Sequence, residues 1–346
     1  MQAVILAGGL GTRLRPLTLN VPKPIVPIGN QPFLLRQIES LKAAGVTDIT
    51  LSLNYEPSLI KKVLGNGSAF GVNLRYLIEP APMGTAGAYK FAEQFLNTST
   101  IVLNGDILTD IDLQTVIEHH KKLNSIATIV LTPVDNPSAY GLVQTDKDAK
   151  VVRFLEKPKL DEINELNINT INAGIYIFEP EVLDLIPKNT AYSFEYQLFP
   201  DLLNRKEQFH SFVAYNNYWL DIGTPQRYLQ AHQDLMSGKI KNFTVTKNSG
   251  FKLADSAEID EISCIADGCI IEAGVKITNS ILGKDVIIEK DTIIQNSVVW
   301  SGTKVFEQAS IIDSIIGSNC QIGKNVCVTN GSVLGDATII SDFSYC

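Results

Sequence analysis

The sequence predicts an α/β chain in two parts: a mostly parallel sheet with helices on both faces, then a coil of very short parallel strands. Three observations carry that prediction. Apolar runs of strand length alternate with helical segments up to residue 238. A glycine-rich turn follows the first apolar run directly. Past residue 250 an aliphatic residue recurs at every sixth position. The expected boundaries are 1–238 for the first domain, 239–250 for a linker and 251–346 for the second domain.

Composition narrows the class. With 346 residues, 45% hydrophobic and 19% charged, the chain can bury a real core in about two domains. The net charge of -8 divides evenly at residue 238, so no basic domain is hidden and nucleic-acid binding is disfavoured. No apolar stretch is long enough to span a bilayer, and the N-terminal run lacks the basic start of a signal peptide. Five cysteines without a Cys-x-x-Cys pair read as reduced thiols. A cytoplasmic protein without membrane partners is expected.

In chain order, Ala3–Leu6 is the first strand, and Ala7-Gly8-Gly9-Leu10-Gly11-Thr12-Arg13-Leu14-Arg15-Pro16 turns off its end, closing at Pro22-Lys23-Pro24. Glycines there let the backbone bend and let N–H groups crowd an anion. Arg13 adds a charged fork and Lys23 a point charge, which together suit several phosphates. The spacing is not a dinucleotide fingerprint, because Leu14 stands where a third glycine is needed. Nor is there a Walker Gly-Lys-Ser/Thr. Pro16, Pro22, Pro24 and Pro27 predict a loop after the glycines. Helix signals follow over Phe33–Ala44, stopped by Gly45, then a strand at Ile49–Leu53 and a helix opened by Pro57. Strands fit Leu74–Leu77 and Ile101–Leu103, with a helix over Thr85–Phe95 between them, capped by Thr85.

A lone Gly-x-Gly would be an ordinary turn. The attached Thr-Arg-Leu-Arg-Pro and Pro-Lys-Pro make a long compound motif, and it resembles the signature of the sugar-1-phosphate nucleotidyltransferases. The resemblance implies the nucleotide-diphospho-sugar transferase fold, a Rossmann-like sheet. It also implies a nucleotide held by Leu6, Ala7, Gly8, Gly9, Gly11 and Thr12, with Arg13 and Lys23 catalytic. Glu79-Pro80-Ala81-Pro82-Met83-Gly84-Thr85-Ala86-Gly87 is similar to the family's base-binding loop, which singles out Gly84 and Thr85. Glu79, if it points inward, can accept from both adjacent donors of guanine.

Asp106 and Asp221 each stand at an expected strand end, where ligands of such sheets bind. Two such carboxylates, with triphosphate oxygens and waters, suit the octahedron of Mg²⁺. Both positions are metal ligands in the resembling family. Gly141, Glu156 and Asn172 are by the same resemblance sugar contacts, and Lys157 holds the attacking phosphate. The expected reaction joins an NTP and a sugar 1-phosphate into an NDP-sugar, releasing pyrophosphate. GTP with mannose 1-phosphate is the first expectation, and UTP or dTTP with glucose 1-phosphate the second. A silent sugar-nucleotide-binding regulatory subunit is the alternative outside enzymes. The four histidines sit in none of these motifs, and His119-His120 reads as exposed on a charged helix.

In the second part Leu253, Ile259, Ile265, Ile271 and Ile277 recur every six residues, and the set restarts one residue early at Leu282, Val299 and Ile316. Six residues make a flat face and three faces a coil, with branched residues stacked inside. This resembles the hexapeptide repeat of left-handed parallel β-helices. Asn279-Ser280, Asn296-Ser297 and Asp313-Ser314 mark a tight corner. No histidine follows His232, so an acyltransferase is disfavoured and a packing role in a homo-oligomer expected. Ile293, Val298 and Trp300 are candidates for an outer contact.

Overall fold

The computed structural model describes residues 1–159, 161–163, 168–241, 243 and 250–346. Most of the expected linker, 242 and 244–249, lies outside the described residues. Contacts divide the chain into two compact units, Met1–Gly9 with Leu34–Trp219, and Leu10–Phe33 with Leu220–Cys346.

The first unit is built on nine strands: β1 (Gln2–Leu6), β2 (Asp48–Leu53), β3 (Asn73–Ile78), β4 (Thr100–Asn104), β5 (Ala127–Pro133), β6 (Gly141–Thr145), β7 (Val151–Glu156), β8 (Thr170–Phe178) and β9 (Phe209–Val213). Their order is β7-β6-β8-β4-β1-β2-β3, with β5 beside β8 and β9 beside β5. The run β4-β1-β2-β3 is parallel, while β8 enters antiparallel to β4. The sheet is thus mixed, with its Rossmann-like parallel half where the strand–helix alternation predicts it. Ala3, Val4 and Ile5 are all buried, and so are Ile49 to Leu53, as strands covered on both faces must be.

The helices begin and end for identifiable reasons. α1 (Phe33–Ala43) stops as Gly45 takes φ 76 and Val46 N–H donates to Leu41 O. α2 (Pro57–Leu64) starts on its proline. α3 (Gly84–Phe91) is shorter than expected, a separate 3-10 turn following at Glu93–Phe95, and Thr85 does not cap it. Its hydroxyl instead accepts from Phe194 N–H at 2.8 Å and donates to Glu195 at 3.0 Å. α4 (Leu113–Lys122) is capped by Asp112 and buries Leu113, Val116, Ile117 and His120 on one face. His120 is therefore not exposed: it is 1% accessible and hydrogen-bonded to Thr128 and Glu179. α5 (Phe199–Asn204) adds Phe199 and Leu202 to an aromatic core with Tyr89, Tyr176, Phe178, Phe194 and Phe209.

The second unit is a prism. One ladder stacks Leu253, Ile271, Ile288, Val305, Ile322 and Ile340 in register; a second stacks Ile259, Ile277, Ile294, Ile311 and Val328; a third stacks Ile265, Leu282, Val299, Ile316 and Leu334. The corner expected at Asn279, Asn296 and Asp313 has φ 45, 49 and 49, and each amide donates to the residue one coil on. A second corner, not foreseen, repeats the left-handed conformation at Gly268, Asp285, Gly302 and Asn319.

α6 (Pro225–Met236), capped by Thr224, lies in this unit with residues 10–33. Trp300 Nε1 donates to Tyr228 Oη at 2.9 Å, and Tyr228 Oη donates to Pro27 O. Asn30 donates to Leu282 O at 2.9 Å. The suggested outer surface is thereby corrected. Val298 and Trp300 are 2% and 3% accessible, with Trp300 bonded to α6, whereas Ile293 stands on another ladder, 42% exposed.

Candidate functional site

The glycine stretch is shared between the units, and each holds its own part of the candidate residues. In the first unit β1 delivers Leu6 and Ala7, Ala7 N–H donating to Ser52 O of β2. A Cβ at Gly8 would come 3.0 Å from Glu79 Oε1, so the bend rests directly against that carboxylate. Glu79 points inward and is buried. Ser52 Oγ donates to its Oε1 at 2.9 Å and Met83 N–H to its Oε2 at 3.2 Å. Each oxygen keeps a further lone pair. Gly9 is open, with nothing within 4 Å of the Cβ position.

Gly84 has φ 69, and a Cβ there would lie 2.6 Å from Tyr192 O. Glycine is required because the 190–192 backbone crosses against α3, which is a different demand from the approach of a base. Thr85 then anchors Glu195, and Ser193 caps that next segment.

Asp106 lies half-buried in the turn after β4. Gly105 N–H donates to Leu6 O at 2.8 Å, and a Cβ on Gly105 would meet Leu6 O and Ala7 Cβ within 2.9 Å. The acid is therefore held beside the start of the glycine stretch. Across β6 and β7, Gly141 pairs with Glu156, whose Oε2 lies 2.9 Å from the Cβ position of Gly141. Burial raises the Glu156 carboxyl above its usual range, the Glu195 charge adds to this and Lys157 opposes it. Lys157 is exposed at φ 48, its N–H donating to Tyr140 O. Asn172 donates to Tyr176 Oη at 2.8 Å and accepts from Gly174 N–H at 2.9 Å. Glu195, Tyr176 and Gln37, which donates to Asn104 O and Ile107 O on either side of the Asp106 turn, are the residues here that the sequence analysis does not single out. The one local signal available was for Glu195, an acid in the first turn after the N-cap Ser193.

In the second unit Gly11 has φ 64, and a Cβ there would come 2.9 Å from Lys23 Cβ. Lys23 thus lies against the bend rather than away from it. Thr12 and Arg13 form an exposed 3-10 turn with Leu14. A Cβ at Gly223 would stand 3.1 Å from Asp221 Oδ2 and 3.2 Å from the Arg13 guanidinium, so these two groups flank one glycine. Asp221, at the end of the short strand Trp219–Asp221, also pairs with Arg227 of α6.

Among the described residues no three His, Cys, Asp or Glu side chains gather as a metal cage. The donors at hand are single carboxylates, which fit a hard divalent cation completed by substrate oxygens and water.

Residues 2–238 match the family model described as nucleotidyl transferase, and 243–344 match the EIF2B subunit epsilon LbH domain, a left-handed β-helix. The chain is 37% identical over its whole length to 94% of the mannose-1-phosphate guanyltransferase of Pichia angusta. It is 34% identical, with the same coverage, to mannose-1-phosphate guanylyltransferase 1 of Arabidopsis thaliana. Among solved structures, a putative glucose-1-phosphate thymidylyltransferase from Bacillus anthracis in complex with a sucrose aligns at TM-score 0.62 and 26% identity, over 70% of this chain and 97% of that one. HddC from Yersinia pseudotuberculosis complexed with GMP-PN aligns at 0.57 and 34% identity, over 67% and 98%.

Proposed function

The chain belongs to the nucleotidyl transferase family, and from that premise we propose that it converts GTP and mannose 1-phosphate to GDP-mannose and pyrophosphate. The supporting observation is the glycine bend, with Glu79 packed beneath Gly8 and Lys23 packed against Gly11. The named function of the full-length relatives supports the choice of base and sugar.

In this reading Leu6 to Thr12 seat the triphosphate, and α3 with Gly84 and Thr85 borders the base. The remaining lone pairs of Glu79 accept from guanine. Gly141, Glu156 and Asn172 contact the sugar hydroxyls. Lys157 orients the sugar phosphate, one of whose oxygens attacks the α-phosphorus in line. The bond from α-phosphorus to the bridging oxygen breaks and pyrophosphate leaves. Arg13 and Lys23 offset the charge that accumulates on it, so catalysis is positioning plus electrostatics. Asp106 and Asp221 are the residues that would hold Mg²⁺, which when bound supplies further positive charge to the phosphates.

The cysteines, in no disulfide among the described residues, support a cytoplasmic setting. The open ladders of the prism support a homo-oligomer.

Pyrophosphate release across four NTPs, each with mannose and glucose 1-phosphates, tests the function. GTP with mannose 1-phosphate is expected to give the highest kcat/KM. A preference for UTP or dTTP with glucose 1-phosphate overturns the base and sugar assignment. Silence in every combination, with GDP-mannose still bound, makes the chain a regulatory subunit.

A further inference from the structure

We infer that Gln37 is a positioning residue for Asp106; the inference rests on the reading of Asp106 as a cation ligand. Gln37 sits on α1 and is only 8% accessible. Its Nε2 donates to Asn104 O at 2.9 Å and to Ile107 O at 3.0 Å. Those carbonyls bracket Gly105-Asp106. A primary amide has two N–H groups at a fixed angle, so using both sets the separation of the two carbonyls. The other side of the same turn is held by Gly105 N–H on Leu6 O at 2.8 Å. No Cβ fits between Gly105 and Leu6–Ala7, so the turn cannot slide along β1. The carboxylate thus rides on a two-residue turn fixed from both sides.

The amide is an uneconomical way merely to attach a helix to a sheet. Gln37 Oε1 is buried and has no hydrogen-bond partner among the described residues. A buried acceptor left unmade is unfavourable, and an apolar side chain would avoid it. What an apolar side chain cannot do is donate to both carbonyls. Ligands of a cation that demands near-ideal octahedral geometry gain most from such outer support.

The test compares full-length wild type, Asp106→Asn and Gln37→Met. Bound Mn²⁺ is followed by electron paramagnetic resonance with GTP present and no sugar phosphate. The Mg²⁺ dependence of pyrophosphate release and the thermal unfolding midpoint are measured in parallel. Gln37→Met, which keeps length and removes both donors, is expected to weaken Mn²⁺ binding on the order of 10-fold. It should raise the Mg²⁺ midpoint equally and leave KM for the sugar phosphate unchanged. Gln37→Asn, which keeps the amide but shortens its reach, gives the same shift if the Met variant does not fold. Wild-type Mn²⁺ binding in a folded Gln37 variant, even one with a lowered unfolding midpoint, overturns the inference. Unchanged Mn²⁺ binding in Asp106→Asn instead overturns the role given to Asp106.

Discussion

Lys23 and Asp221 make the sharpest demands on single side chains. Lys23→Ala is expected to cut pyrophosphate release by about 100-fold or more, and Asp221→Ala likewise, while each variant unfolds near the wild-type temperature. Near-normal turnover in either removes the residue from the reaction. Gly84→Ala tests a different matter, since its cost is backbone strain and collision with Tyr192 O. A loss of about 2 kcal/mol in denaturant unfolding is expected. The long glycine motif was legible because Gly11 and Lys23 are one packed feature written twelve residues apart. The inward turn of Glu79 was not, because its partner Ser52 comes from a neighbouring strand. Thr85 looked like a cap, but Gly84 opens the helix ahead of it and the Ser193–Glu195 segment claims its hydroxyl. His120 could have been read correctly. It lies seven residues after Leu113, on the apolar side of α4 that Val116 and Ile117 share.

At the scale of elements, the prism repeats one contact many times. Ile294 is fully buried between Ile277 and Ile311. Ile294→Ala therefore leaves a void with aliphatic side chains above and below it, a loss of about 2–5 kcal/mol in unfolding free energy. The sixfold spacing made all three ladders legible, because an inward residue at each face is the only way a flat coil closes. The second corner was not legible, since Gly, Asp and Asn at its positions share a backbone angle and no side-chain type. α6 carries a pH dependence. Burial holds His232 at a pKa of about 4, well under its ordinary value. The unfolded chain takes up the proton first, so stability is intact above about pH 6.5 and falls as pH drops toward 4. About 3 kcal/mol is lost across that range, readable as a falling unfolding midpoint whose slope is shallower in His232→Gln.

For the whole molecule, the division of contacts departs from the order of the chain. Residues 10–33, with Arg13 and Lys23 among them, group with α6 and the prism. The ties are specific: Pro27 to Tyr228 to Trp300, Asn30 to Leu282, and Pro16 lying 3.1 Å from the Cβ position of Gly335. A linear reading of composition assigns this segment to the first domain, because nothing local reveals that its packing partners come some 250 residues later. A protein ended at residue 250 is expected to lose pyrophosphate release, and Trp300→Ala in the full chain to lower kcat more than it raises KM for mannose 1-phosphate. Full activity in the shortened protein removes the coil from any part in the reaction. The same ties bear on how such enzymes can be rebuilt. A coil borrowed from a relative meets a loop and a helix fitted to Trp300 and Leu282 rather than to itself, so chimeras joined at the obvious seam should be sluggish until the segment around Pro27 is exchanged along with its distant neighbour.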